Sequence, residues 1–191
     1  MQQTHRIPVV SVVGKSDSGK TTVMEQLIRA LAARGYRVAT VKHHVHEVDV
    51  DVPGKDSWRH ARAGAVTTMI SAPTQFAVVR RVERERTLEE LQEAAAGADI
   101  LLTEGFQRAG DVKVEVSRRG RSDALINDPA TLFALVTDEP DLAAGAVPTF
   151  SLDQVDDLAE LVERTFLTGA APAPATPAVP PGTAPTAGGD A

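Results

Sequence analysis

Two rhythms of apolar residues run along the chain. Ile7–Val13 is a continuous, β-branched apolar run, the pattern of a strand buried on both faces. From Thr22 to Arg34 the apolar positions are Met24, Leu27, Ile28 and Leu31, one face of a helix, and Gly35 is placed to stop it. Tyr36–Val41 reads as a second strand. Residues 43–55 are polar and irregular, and Asp56–Ala63 is a short helix ending at Gly64. Ala65–Ile70 and Phe76–Val82 are two strands parted by the turn Ala72-Pro73-Thr74. Thr87 with Glu90 three residues on forms a capping box before Leu88, Leu91 and Ala95. Ile100–Thr103, Val112–Val116 and Leu132–Val136 are further strands, and Asp153–Phe166 is a last helix. Strands alternating with helices predict an α/β fold, a mainly parallel sheet with helices on both faces.

Composition narrows the class. The 191 residues suit one domain with a tail. Residues 170–191, AAPAPATPAVPPGTAPTAGGDA, hold six of the twelve prolines and cannot form a core. Residues 1–167 are therefore expected to be one domain and 168–191 a disordered Pro/Ala-rich tail. A net charge of −6 argues against a nucleic-acid partner. With no cysteine, disulfides and thiolate metal sites are excluded. No apolar run approaches the roughly 20 residues needed to span a bilayer, and the N-terminus lacks a signal-peptide pattern. The expectation is a cytoplasmic protein without a membrane partner.

The chemistry begins at Gly14-Lys15-Ser16-Asp17-Ser18-Gly19-Lys20-Thr21, which matches G-x-x-x-x-G-K-[ST] in full. It follows a strand and opens a helix, the context a phosphate loop requires. Gly14 and Gly19 permit the tight turn, and the helix N-terminus adds its dipole. Lys20 is expected to reach the β- and γ-phosphates, Thr21 to ligate Mg²⁺, and Thr22 to complete the cradle. Ser16, Asp17 and Ser18 are expected to offer backbone N–H groups with their side chains outward. The predicted fold is the three-layer P-loop NTPase fold. Asp99–Gly105 then reads as a strand ending in an acid, and Glu104 at its C-terminal end is the candidate second Mg²⁺ ligand. Asp99, at the other end, reads as a surface residue.

VKHHVHEVDVDVPGKDSWRHARAGA, residues 41–65, leaves the same sheet edge as the phosphate loop. Lys42, His43, His44, Asp49, Asp51, Lys55 and Asp56 are read as a switch-like loop. Asp49 or Asp51 is placed to contact Mg²⁺ or its water, Lys55 an anion, and Asp56 or Ser57 the start of the following helix.

GKSDSGKTT, the 41–65 stretch, LLTEGFQ and KVEV together resemble the molybdopterin-guanine dinucleotide biosynthesis protein B (MobB) adaptor family, from about residue 7 to about residue 167. The resemblance implies a GTP-binding, Mg²⁺-dependent P-loop protein with weak GTPase activity and a homodimeric build. It implies assistance to a MobA-type nucleotidyltransferase that attaches GMP to molybdopterin or its Mo-loaded form. It places the phosphate site on Gly14–Thr22, the switch-like part on Lys42–Ser57 and the carboxylate at Glu104. In ALVTDEPD it implies Asp138, after a strand, as the acceptor for guanine N–H groups, although the N-K of N-K-x-D is missing; the other reading of Asp138 is a turn acid before Pro140. Lys15 aligns with a lysine that, in one branch of P-loop NTPases, reaches across a dimer. It is either a second catalytic cation beside Lys20, in cis or in trans, or a solvated side chain. Two other classes stay open. One is a small-molecule kinase with a lid arginine among Arg80, Arg81, Arg84, Arg86, Arg118, Arg119 and Arg121. The other is a metal-insertion NTPase using His43, His44 and His46.

Overall fold

The computed structural model describes residues 6–121, 124–143, 145 and 147–168. The expected tail from residue 169 onward lies outside the described residues. Among the described residues, eight strands and four α-helices follow in the order β1 (Val9–Val13), α1 (Lys20–Ala33), β2 (Val38–Lys42), α2 (Asp56–Arg62), β3 (Thr67–Ser71), β4 (Phe76–Arg80), α3 (Leu88–Ala94), β5 (Ile100–Glu104), β6 (Lys113–Ser117), β7 (Ala134–Thr137), β8 (Thr149–Phe150) and α4 (Val155–Val162). Six strands make a parallel sheet ordered β2-β5-β1-β6-β7-β8. The mainly parallel α/β sheet is the one the alternation predicted, and its P-loop NTPase-like architecture the one the glycine loop predicted.

The two faces of the sheet differ. Val10, Val12, Ile100, Leu102, Val114, Val116 and Val136 face a core closed by Val23, Leu27 and Leu31 of α1 and Val155, Leu158 and Val162 of α4. Each fully buried Leu or Val there stabilises by about 1.5–3 kcal/mol. The opposite face carries polar groups inside. Thr103 donates to Ser11 at 2.9 Å, both fully buried. It is covered more thinly, with α3 and the loop after β5 over its Ser11 end. A Cβ on Gly110 would lie 2.8 Å from Ser11 Oγ and 3.6 Å from Leu88 of α3. A second apolar cluster, Leu132, Leu135, Ala143 and Val147, fills the β7 end.

Three details depart from the sequence reading. The strands at 67–71 and 76–80 pair only with each other, as an antiparallel hairpin apart from the main sheet. β8 has two residues, too short for a periodic signal. The last helix is α-helical to Val162 and then widens into a π turn over Glu163–Leu167. The Thr87–Glu90 capping box forms as expected. Gly35 ends the first helix with φ +89°, and its amide donates to Ala32 O.

Candidate functional site

β1 ends at Val13, and the chain then folds tightly over the end of β6. A Cβ on Gly14 would lie 2.3 Å from Val116 O and 2.9 Å from Ser18 Oγ, and Gly14 has φ +146°. Only glycine fits there. Gly19, at φ +97°, is the N-cap of α1 and offers no side-chain cap, so the first-turn amides of a 14-residue helix are left for an anion. Lys20 bends back over the loop, and its ammonium donates to Lys15 O at 2.6 Å. Burial lowers the Lys20 pKa, while the carboxylates of Glu104 and Asp17 work the other way. Lys15, Ser16, Asp17 and Thr22 are exposed, and Asp17 sits in the left-handed region at φ +59°.

Ser18 corrects the sequence reading. Its side chain is fully buried rather than outward, and its hydroxyl has no hydrogen-bond partner. The turn at Gly14 leaves no Cβ between Ser18 and the end of β6, so the small side chain fills that gap.

Thr21, at the start of α1, donates from Oγ1 to Glu104 Oε1 at 3.0 Å. Glu104 closes β5, in register with Val12 of β1 and Lys42 of β2. The Lys42 ammonium lies 3.5 Å from the same carboxylate oxygen. The two expected Mg²⁺ ligands thus meet beside the Lys20 ammonium. Hydroxyl and carboxylate oxygens are the hard donors that Mg²⁺ takes. The uncapped first turn of α1 and the open space beside Gly19, where a Cβ would meet nothing within 4 Å, also fit a phosphate-bearing guest.

The switch-like segment divides. The His43 amide donates to Glu104 O at 2.9 Å, which fixes the segment's start beside the carboxylate. The His43 ring meets the Phe106 ring at 4.5 Å between centroids, tilted by 39°, and its Nε2 lies 2.5 Å from Glu85 Oε1. His44 and His46 are exposed, and among the described residues no three His, Asp or Glu side chains are grouped to hold a metal. Asp49 accepts from Trp58 Nε1 at 3.1 Å. Asp51 accepts from Ser57 Oγ at 3.0 Å and from the Val52 amide at 2.8 Å, so it is engaged at the entry to α2. Its Oδ2 is buried without a partner. The N-cap of α2 is Lys55, not Asp56 or Ser57, and it makes no side-chain cap bond. Asp56 lies in the first turn of α2, and Ser57 is drawn to Asp51 instead.

Asp138 stands at the end of β7, where its Oδ1 accepts from the Arg119 amide at 2.8 Å. Asp99 is a correction. Its carboxylate is only 11% exposed, and it accepts from the Arg37 guanidinium at 2.6 and 3.1 Å and from the Arg37 amide at 2.7 Å. The Arg37 hydrogen bonds hold its pKa below the usual carboxylate range. It joins the far ends of β2 and β5. The arginines considered for a kinase lid are partly committed elsewhere: Arg84 and Arg86 both pair with Glu90, and Arg80 donates to Thr67.

Two buried residues near the site were given no role from sequence. Glu115, 1% exposed on β6, accepts from the Ile126 and Asn127 amides at 2.7 and 3.0 Å and from the Asn127 side chain at 2.7 Å. An acid inside the apolar run KVEV was the available signal. Phe106 is buried at a left-handed φ of +53°, directly after Gly105 at φ +99°. Only the Gly-Phe pair hinted at that turn.

Residues 9–138 match the family model described as Molybdopterin guanine dinucleotide synthesis protein B. The chain is 34% identical over 164 residues to the molybdopterin-guanine dinucleotide biosynthesis adapter protein of Escherichia coli, covering 82% of this chain and 91% of that one. It is 32% identical over 138 residues to the adapter protein of Haemophilus influenzae, covering 71% and 78%. Its fold superposes on a crystal structure of molybdopterin-guanine biosynthesis protein B with a TM-score of 0.64 at 30% identity, covering 83% and 99%. On the Bacillus subtilis MobB structure the TM-score is 0.65 at 29% identity, covering 81% and 98%. With a matching model over more than half its length and relatives 32–34% identical that are covered to 78–91%, the chain belongs to the molybdopterin guanine dinucleotide synthesis protein B family.

Proposed function

We propose that this chain is a GTP-binding adaptor that assists a MobA-type nucleotidyltransferase in converting molybdopterin, or its Mo-loaded form, to molybdopterin-guanine dinucleotide in the cytoplasm. The observation that carries the nucleotide part is the meeting of Thr21 and Glu104 beside Lys20, at the mouth of a loop whose helix amides are uncapped. Family membership carries the pathway part, since the relatives are named for that biosynthesis.

In this reading Gly14–Thr22 hold the triphosphate. Mg²⁺, when bound, neutralises charge on the phosphate oxygens. Thr21 and Glu104 are its ligands, with Asp51 the outer candidate. Lys20 turns from Lys15 O to the γ-phosphate, and Lys15 stands ready as a second cation. Asp138, fixed by the Arg119 amide, reads the guanine edge. The reading assigns no residue as a general base for water, so hydrolysis is expected to be slow.

A homodimer is part of the proposal. Residues paired across an antiparallel ladder share a face. One face of the β3–β4 hairpin therefore carries Met69, Val78 and Phe76, exposed at 65%, 47% and 67%. A two-stranded sheet is marginal by itself, and a second copy of that face would cover these side chains. The adaptor reading is tested by reconstituting dinucleotide formation with MobA and molybdopterin. Adding this chain should raise product yield, and Lys20→Ala should not. No binding to MobA and no change in yield would overturn the reading.

A further inference from the structure

A groove of about 1390 Å³ opens from the phosphate loop along the β5 side of the sheet. Single ligand pockets are commonly about 300–1,000 Å³, so the space exceeds what the terminal phosphates of one nucleotide need. It begins at Gly14, Ser16 and Lys20, passes His43 and Phe106, and ends among Arg108, Arg86 and Arg6. Neither Ser117 at the end of β6 nor Asp138 at the end of β7 lines it. The base side of the proposed nucleotide is therefore elsewhere, and the groove starts where the triphosphate would end.

Its wall is built. The Ala109 amide donates to Phe106 O at 3.1 Å, closing a turn. Gly110 packs so closely on Ser11 that no Cβ fits. The left-handed pair Gly105–Phe106 brings the Phe106 ring under His43. Residues held in such conformations cluster at binding sites. The chain is acidic, at −6, yet Arg6, Lys20, Arg86 and Arg108 line this groove against Glu85, Glu89 and Asp111. Glu85 is engaged by His43 and Arg86 by Glu90. Arg108 is exposed and makes no ion pair or side-chain hydrogen bond among the described residues. A free guanidinium beside a His–Phe wall suits a flat heteroaromatic ring bearing a phosphate, since guanidinium binds phosphate in a bidentate fashion.

The geometry points to a second binding site: the groove holds a phosphate-bearing pterin, with its phosphate on Arg108, at the same time as a nucleotide occupies the phosphate loop. This rests on the nucleotide reading above and adds the acceptor's place to it. The test uses the full chain and 6-hydroxymethylpterin monophosphate, followed by its own fluorescence anisotropy, with and without saturating Mg·GDP. Binding should persist with Mg·GDP present. Unphosphorylated 6-hydroxymethylpterin should bind at least tenfold more weakly. Arg108→Ala should weaken the pterin phosphate about tenfold and leave GDP affinity unchanged. Competition with GDP, equal binding of the two pterins, or no effect of Arg108→Ala would overturn the proposal. Failure of GDP to bind, with pterin phosphate still bound through Arg108, would sink the nucleotide reading and spare the groove.

Discussion

Thr21 Oγ1 donates to Glu104 Oε1 across 3.0 Å, joining the first turn of α1 to the last residue of β5, 83 positions further along the chain. The bond is solvent-exposed, so its own contribution to stability is small. Its value is positional: it sets a hydroxyl and a carboxylate at one point beside Lys20. Glu104→Gln should therefore weaken Mg²⁺-dependent GTP binding at least tenfold while leaving Mg²⁺-free GDP binding within about twofold, because a neutral amide is a far poorer Mg²⁺ ligand. Titrations with and without Mg²⁺ read this directly. Equal Mg²⁺ dependence in both proteins would remove Glu104 from the site.

Glu115 is a buried carboxylate holding three donors of the segment at Ile126–Asn127. Glu115→Ala leaves those donors without a partner inside the protein, at a cost of about 3 kcal/mol. For a chain of this size that lowers the melting midpoint by about 10 °C. Glu115→Gln keeps one acceptor and should fall between. Differential scanning calorimetry separates the three proteins.

The hairpin face makes a prediction about assembly. Phe76→Asp puts a charge on the exposed face shared with Met69 and Val78. It should shift sedimentation from dimer to monomer, while the monomer's unfolding changes by no more than about 0.5 kcal/mol, as for other surface substitutions. A wild-type monomer at high concentration would contradict the interface.

The start of α3 predicts an acid response. Glu90 has its pKa lowered from 4.5 to about 2, chiefly by the Arg84 side chain, then by the Thr87 amide and Arg86. Above the ordinary carboxylate range both folded and unfolded chains are ionised, and the stabilisation is fully present. As pH falls through 4.5 the unfolded chain takes up the proton first, and the advantage is lost on the way down to about 2. Between about pH 5 and about pH 2 the melting midpoint of wild type should fall more than that of Glu90→Gln. Parallel midpoints would show that the capping box carries no such linkage.

Much of this was readable before the structure, for physical reasons. The glycine loop, the strand ending at Glu104 and the Thr87–Glu90 box are local patterns, and each formed where its spacing placed it. What escaped depends on distant partners. Ser18 points inward because β6 lies against Gly14, a contact about 100 residues apart in sequence. Asp99 is held by Arg37 and not by water because β2 and β5 are neighbours. Asp51 turns to Ser57 because the approach to α2 bends back on itself. The apolar pattern identified strands at Ala65–Ile70 and Phe76–Val82, but cannot tell a strand of the main sheet from one in a separate hairpin.

Lys20 is proposed to grip Mg·GTP on the loop from Gly14 to Thr22. Isothermal titration of Mg·GTP into wild type and Lys20→Ala tests it most directly. A charge-assisted hydrogen bond is worth about 1.5–3 kcal/mol, a loss of about 10–100-fold in affinity when removed. Saturable one-to-one binding by wild type with such a loss in Lys20→Ala is the result predicted. Undiminished binding by Lys20→Ala, or none by wild type, would contradict it.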